Sequence, residues 1–283
     1  MAIGFLPEVL RLERQEAEAY RAPHPAGDPE GRNVVFSGQI LAQMIMAADL
    51  ELHGSLEVKS IHAIFSRAGT YDQPLLLTTE TTHAGRSFGS LTVTAHQGDR
   101  LLSRGLLLMT GDEPDLVRHG PIAPSAPDPE TLETDVESKG FPGSETRTVP
   151  SSDATAPDGT PELDFWLRYP IALESLAGRQ AVLAWSQPRE LIGLALRPHS
   201  DLFSIEAAHV TLSTGVIAHT LHFQDAFDPS EWMLIRQSAT SVGRGRVYGE
   251  GRVFDRRGHL VSTFSQDSMV RLAPQALDSR RSL

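Results

Sequence analysis

The sequence contains no cysteine, which excludes several kinds of chemistry at the outset. Without a thiol the chain has no disulfide, no thiolate metal site and no cysteine nucleophile, and this composition fits a reducing cytosol. Runs of eighteen apolar residues are also missing, so we expect no helix that spans a membrane. The first eight residues lack the basic and long apolar regions of a secretory signal. These features together predict a soluble, cytoplasmic protein.

Positive charge is scarce, and the shortage lies in one segment. The formal net charge is −11, and residues 112–162 contain twelve acidic and three basic residues, which accounts for −9 of that total. The remainder is nearly neutral, so nucleic-acid binding has no electrostatic footprint. Nine of the nineteen prolines also fall in this segment, with little apolar periodicity. We therefore interpret it as a partly extended linker between two units.

The most apolar stretch, residues 37–48, carries no charge and predicts a buried helix. One of its faces has helical spacing and contains Ile40, Leu41, Met44, Ile45 and Ala48. Gln39 and Gln43 are polar and lie four residues apart, so they project from the same side. Either these amides are satisfied by hydrogen bonds inside the core, or they line a wet cavity where substrate binds.

Strand patterns follow this helix, and the whole arrangement then recurs. The first unit has strand patterns at 58–66, 75–83, 87–96 and 101–110, after an amphipathic helical start within 5–20. The second unit has a strand at 165–169, a shorter helix at 190–196 that Pro198 stops, and strands at 210–223, 232–241, 246–254 and 259–271.

This repeat predicts an α+β fold of the tandem, or double, hot-dog type, in which two antiparallel sheets are each wrapped around a central helix. The predicted division is an N-terminal unit at 1–111, the acidic, proline-rich linker at 112–162, a C-terminal unit at 163–272 and a flexible tail at 273–283. Each unit leaves exposed strand edges, so we expect the two sheets to join edge to edge.

Several short motifs of the sequence resemble the acyl-CoA thioesterase II family of double hot-dog proteins. They span both units in the order of the family. The matching pieces are Val35-Phe36-Ser37-Gly38-Gln39 with Gln43, Phe65-Ser66-Arg67-Ala68-Gly69, Pro74, Gly85-Arg86-Ser87-Phe88, Leu196-Arg197-Pro198-His199, Glu231-Trp232, and Ser265-Gln266 with Met269 and Arg271.

The resemblance implies hydrolysis of a fatty acyl-CoA by water held among an aspartate, a threonine or serine and a glutamine. In such a site the carboxylate takes the proton of the water, while the hydroxyl and the amide orient the water and stabilise the developing oxyanion. No covalent intermediate is needed. The family glutamine corresponds to Gln266, in the last predicted strand.

The other two residues depart from the family pattern. The aspartate position falls on Pro188, or on Gln187 if the match is shifted by one residue, and neither side chain accepts a proton at neutral pH. The nearest carboxylate is Glu190, which opens a short helix and is equally explained as a solvated acid stabilised by the helix dipole.

The hydroxyl position of the family falls on Val216. Because side chains alternate along a strand, Thr214 and Thr220 are the nearest hydroxyls expected on the same side.

Two glycine motifs are weaker signals. Residues 85–89 match G-x-S-x-G, but a strand pattern follows them where a nucleophile elbow requires a helix, so we do not expect a serine nucleophile. Residues 243–249 have one residue too many for G-x-G-x-x-G. They are better explained as a turn, in which Arg244 is a candidate to contact the phosphates of CoA.

Three functions are compared on these grounds. The first is an acyl-CoA thioesterase, and the second is a catalytically degenerate hot-dog protein that binds acyl-CoA without hydrolysing it, because the aspartate is missing. The third, a hot-dog hydratase or dehydratase, needs an aspartate and a histidine in and after the central helix, and residues 39–48 contain neither. We expect acyl-CoA as the partner, no cofactor and no metal. The resemblance also implies a homo-oligomer.

Overall fold

The computed structural model describes residues 5–24, 33–134, 143–150, 156, 158–201 and 211–273, so most of the predicted tail lies outside the described residues. The helices are α1 (Phe5–Val9), α2 (Ser37–Glu51), α3 (Leu176–Ser186) and α4 (Glu190–Leu196). The strands are β1 (Glu13–Glu16), β2 (Ala19–Ala22), β3 (Glu57–Phe65), β4 (Leu75–Ala84), β5 (Phe88–Gln97), β6 (Arg100–Thr110), β7 (Glu145–Thr148), β8 (Glu162–Arg168), β9 (Leu212–Phe223), β10 (Met233–Gly243), β11 (Arg246–Phe254) and β12 (Leu260–Leu272).

All twelve of these strands belong to one antiparallel sheet. Its order is β1-β2-β4-β5-β6-β3-β9-β12-β11-β10-β8-β7. The two halves of the chain meet at β3 and β9, where Ser60–Ile64 pairs with Ala218–His222. The predicted edge-to-edge junction is therefore confirmed. The two separate sheets that we predicted are halves of one continuous sheet, because this pairing removes the free edges of both.

Helix α2 packs against strands of the N-terminal half and against α3 from the C-terminal half. Ten of its fifteen residues are buried, and all ten lie within the uncharged stretch 37–48 that predicted a buried helix. The helices approach closely at Gly38, where an added Cβ would lie 2.2 Å from the carbonyl oxygen of Trp185. Gln180 of α3 also donates to the carbonyl of Val58 on β3 at 2.8 Å. One hydrophobic core therefore continues across both halves.

Helix α3 corrects our choice of the central helix in the second unit. We predicted residues 190–196, and α4 has these bounds, but the helix that packs on α2 is α3. Ser175 is the N-cap of α3, and its hydroxyl accepts a hydrogen bond from the backbone N–H of Gly178 at 3.0 Å. The cap and the apolar residues after it were the signal that the sequence interpretation missed.

The N-terminal region also differs from its prediction. The helical start ends at Val9, and β1 and β2 then form a hairpin that pairs with β4. All four residues of β1 are exposed and polar, so no alternation of apolar residues marks this strand.

Part of the acidic segment lies on the outer face of the C-terminal half. Ala123, Ala126 and Leu132 pack on a small second core that contains Trp166 and Trp232. The indole of Trp166 donates to the carbonyl of Pro127 at 3.0 Å, and that of Trp232 donates to Glu130 at 2.8 Å. Strand β7, which pairs with β8, also comes from this segment. No helix in the described part of the chain is long and apolar enough to cross a membrane.

Candidate active site

A cavity of about 730 Å³ lies where the two halves of the chain meet. The N-terminal half contributes the start of α2 and the end of β3, and the C-terminal half contributes the start of α4 with parts of β9 and β12. The lining residues are 34–37, Ile40, 65–69, 188–190, Ile192, Gly193, 213–217 and Met269.

The cavity wall combines apolar residues with a few charged ones. Much of the wall is apolar. Among its described residues Glu190 carries the one carboxylate, and Arg67 and Arg189 carry the positive charges. The guanidinium of Arg189 lies 4.2 Å from the ring centre of Phe36, a cation–π distance. The wall therefore suits a ligand that has both an apolar chain and anionic groups.

Glu190 is the first residue of α4, and it is partly buried in the cavity wall. Three residues earlier, Gln187 is buried at the end of α3 and donates to Ser186 Oγ at 3.2 Å. Pro188 lines the cavity between them. Of the two residues considered at the missing aspartate position, Pro188 borders the cavity and Gln187 does not, although both are buried.

A β-bulge decides which hydroxyl of β9 faces inward. Asp267 of β12 pairs with Ala218 and Ser268 pairs with Val216, so Ile217 is an extra residue in β9. Directly paired residues point to the same face, which places Val216 on the inner face with buried Ser268. Thr214 lies two residues before Val216, lines the cavity and shares that face.

The bulge corrects one expectation. Thr220 was predicted on the same side as Val216, but its hydroxyl contacts His62 Nδ1 at 3.2 Å among exposed side chains. Simple alternation fails here because the bulge reverses the facing of every residue beyond it.

Gln266 is buried on the inner face of β12, next to the cavity residues but not among the residues that line it. Its Nε2 donates to Ser268 Oγ at 2.9 Å, and its Oε1 lies 3.1 Å from His219 Nδ1. His219 is buried as well and stacks on Phe264, with a distance of 5.9 Å between the ring centres. Burial lowers the pKa of His219 to about 4, and the hydrogen bond with Gln266 opposes this shift.

The contact between His219 and Gln266 was missed in the sequence interpretation, since the two residues lie on different strands. Arg67 and Arg189 were also missed as cavity residues. Arg67 stands inside one of the motifs that carried the resemblance, which is a signal that was present in the sequence.

Gln39 and Gln43 are fully buried and lie outside the cavity wall. Gln43 Nε2 donates to the carbonyls of Val9 at 3.0 Å and Pro23 at 2.8 Å. Gln39 Nε2 lies 3.1 Å from Nδ1 of His24. These bonds attach the N-terminal segment to α2, although the buried Oε1 of Gln39 has no hydrogen-bond partner among the described residues.

Arg244 lies in the turn between β10 and β11, is exposed and has a positive φ of 52°. It does not line the cavity. Among the described residues no group of three or more histidines and carboxylates is arranged to hold a metal ion.

A long antiparallel sheet with helices packed on its inner face is the hot-dog class of fold. A solved structure from Alicyclobacillus acidocaldarius, titled as a conserved protein of unknown function with a hot dog fold, aligns with a TM-score of 0.74 at 16% identity, over 95% of this chain and 98% of that chain. Family models for the acyl-CoA thioesterase N-terminal and C-terminal domains match residues 24–110 and 122–270. The chain belongs to this acyl-CoA thioesterase family.

Individual relatives agree with this assignment. Acyl-coenzyme A thioesterase 8 of Mus musculus is 26% identical, over 98% of this chain and 92% of that protein. Acyl-CoA thioesterase 2 of Haemophilus influenzae is 24% identical, over 96% of this chain and 98% of that protein. The crystal structure of the acyl-CoA thioesterase II TesB2 from Mycobacterium marinum aligns with a TM-score of 0.79 at 25% identity, over 95% of this chain and 98% of that one.

Proposed function

We propose that this protein hydrolyses acyl-CoA thioesters to a free fatty acid and CoA. The observation that carries the proposal is the cavity at the junction of the two halves, where Glu190 stands in a largely apolar wall of a chain from the acyl-CoA thioesterase family. In the reaction, water attacks the thioester carbonyl, the carbon–sulfur bond breaks, and the thiolate of CoA leaves and takes up a proton. The protein itself forms no covalent bond.

The general base in this proposal is Glu190, whose carboxylate takes the proton of the attacking water. Thr214 on the cavity wall orients that water. Gln266 supplies an amide donor for the water or for the oxyanion. We give Gln187 a supporting role and not that of the base, because an amide accepts no proton at neutral pH. Its buried side chain lies at the end of α3, just before Pro188, which borders the cavity.

The apolar and the positively charged residues of the cavity wall bind different parts of the substrate. Apolar side chains enclose the acyl chain, and Arg67 and Arg189 meet the phosphates of CoA, since guanidinium groups bind phosphate oxygens in a bidentate way. Arg244 is a more distant candidate for the same phosphates. The hydrogen bonds of Gln39 and Gln43 favour a structural role for these two amides.

We further propose the finer architecture, a double hot-dog in which each half of the sheet curves around its central helix, α2 or α3. The packing of these helices on each other and on neighbouring strands supports it. The proposed division keeps an N-terminal unit at 1–111, a linker at 112–162, a C-terminal unit at 163–272 and a tail at 273–283.

We also propose that the protein is a homo-oligomer. Ile64 on β3 and Leu106 and Leu108 on β6 are exposed, and they alternate with residues of the core, so they lie on the outer face of the sheet. Apolar side chains in such a group favour contact with a second copy of the chain.

The test is the release of CoA from acyl-CoAs with short to long chains. A thiol-reactive dye reports this release directly, because the protein has no cysteine of its own. Glu190→Gln is expected to lower kcat by about 10²–10⁴, and Gln266→Ala by about 10²–10³ with little change in KM. Glu250→Gln, which replaces an exposed carboxylate on β11, is the matched control and is expected to keep full activity.

Each result bears on a different part of the proposal. Wild-type protein that binds acyl-CoA but releases no CoA from any of them would overturn hydrolysis in favour of the binding protein. Full activity of Glu190→Gln would refute Glu190 as the base and leave the reaction itself standing.

A further inference from the structure

A short chain of buried polar side chains connects β9 and β12 beneath the cavity. It runs from His219 through Gln266 to Ser268, with distances of 3.1 Å and 2.9 Å. All three residues are at most 2% exposed. The strand register places His219 opposite Gln266, and it places Ser268 opposite Val216, which lines the cavity. The chain of hydrogen bonds therefore lies one residue pair away from the cavity wall.

The orientation of the Gln266 amide and the tautomer of His219 are linked through their hydrogen bond. Its Oε1 can only accept and its Nε2 can only donate, while a neutral histidine ring has one nitrogen of each kind. With Oε1 toward His219, the Nδ1 atom must carry the proton. One N–H of Nε2 is then used on Ser268 and the second is still available. Reversing the amide would need the opposite tautomer of His219.

The surroundings of His219 keep this arrangement in place. The ring stacks on Phe264 at an interplanar angle of 15°, which limits its rotation. Burial keeps it neutral at pH 7, since its pKa lies at about 4. Among the described residues, Nε2 of His219 has no hydrogen-bond partner, and Nδ1 contacts Gln266. In such a buried place of low dielectric constant the hydrogen bond between His219 and Gln266 is electrostatically stronger than it would be in water.

We propose that His219 is a positioning residue for thioester hydrolysis: its Nδ1–H holds the Gln266 amide so that the second N–H of Nε2 is free to donate toward the reacting water or the oxyanion. This inference rests on the proposed function and on the role of Gln266 in it. His219 itself touches no reacting atom and exchanges no proton with the substrate.

The test compares variants of His219 that keep or lose this donor. Asparagine places an amide N–H near the position of Nδ1, glutamine places it near Nε2, and leucine has none. His219→Leu and His219→Gln are expected to lower kcat about tenfold with KM unchanged, which corresponds to one net hydrogen bond. His219→Asn is expected to stay within about threefold of wild type, because it restores the donor at the Nδ1 position.

A double-mutant cycle separates positioning from a purely structural role. Because His219 acts through Gln266, His219→Leu should cause no further loss of kcat in a Gln266→Ala background. Circular dichroism and the urea midpoint of each variant show that rates refer to folded protein. If His219→Leu does not fold, the comparison of His219→Asn with His219→Gln still decides, since both are polar and similar in size.

The outcomes distinguish this inference from the proposed function. No turnover by wild type overturns both, and full activity of Gln266→Ala overturns the role of Gln266 on which the inference depends. An impaired Gln266→Ala together with equal rates for His219→Asn and His219→Gln, or with additive losses in the cycle, overturns the positioning role alone. Expected activities in all four single variants support it.

Discussion

Acid should destabilise this protein in part through His219, the buried histidine on β9. The unfolded chain binds a proton at this residue with a pKa near 6.5, whereas burial lowers the folded value to about 4. Because the folded pKa is the lower one, the unfolded state binds the proton more readily. The stability that neutral His219 contributes is therefore complete above pH 6.5 and is lost as the pH falls toward 4.

The size of this effect follows from the two pKa values of His219. The difference between 6.5 and about 4 corresponds to about 3 kcal/mol once the pH has reached the folded value. About 2 kcal/mol of this is lost between pH 7 and pH 5, where the unfolded chain is protonated and the folded one is not. The wild-type protein should thus lose this amount in addition to what its other titrating groups contribute.

Urea unfolding of wild type and His219→Asn at pH 7 and pH 5 isolates the contribution of His219. The three tryptophans, Trp166, Trp185 and Trp232, are buried and provide a fluorescence signal. Other titrating groups are common to both proteins, so their effects cancel in the comparison. The variant is expected to lose about 2 kcal/mol less than wild type between the two pH values. Equal losses in both proteins would refute the assignment of a buried, neutral His219.

Two further predictions concern packing and assembly. Gly38→Ala should lower the free energy of unfolding by about 1–3 kcal/mol, because the new Cβ would lie 2.2 Å from the Trp185 carbonyl. Gly193→Ala is the control, because the space around Gly193 is open. Equal urea midpoints for the two variants would contradict the close packing of α2 and α3. Light scattering should give a multiple of the mass of one chain, and Leu106→Glu on the outer face should reduce that mass. A monomeric wild type at micromolar concentration would remove the homo-oligomer from the proposal.

The elements that could be predicted from sequence are those marked by their own residues. Helix α4 and strand β11 have the predicted bounds, Glu190–Leu196 and Arg246–Phe254. The turns before β6 and β12 contain Gly98 and Gly258, which have positive φ angles of 55° and 89°. Glycine adopts such angles at little cost, so these residues mark the ends of strands in the sequence itself. The uncharged stretch 37–48 likewise predicted the burial of α2.

Other elements carry no such local mark. Strand β1 is polar and exposed throughout and is ordered by its pairing with β2. Helix α3 has a serine cap at Ser175, but its place as the partner of α2 depends on the close approach at Gly38. An interpretation that follows the chain one element at a time has no access to either contact.

The sequence by itself determined the repeated order of helix and strands, the confinement of acidic charge to one segment, and the motifs that resemble the family, since each depends on residues close together in the chain. Only the tertiary structure decided how the site is composed. Because β3 pairs with β9, segments that are distant in the chain come together to form the cavity. The bulge at Ile217 places Val216 on the inner face of the sheet and Thr220 on the outer face. The same folding buries His219 against Gln266, because burial and hydrogen-bond partners depend on neighbours in space rather than along the chain.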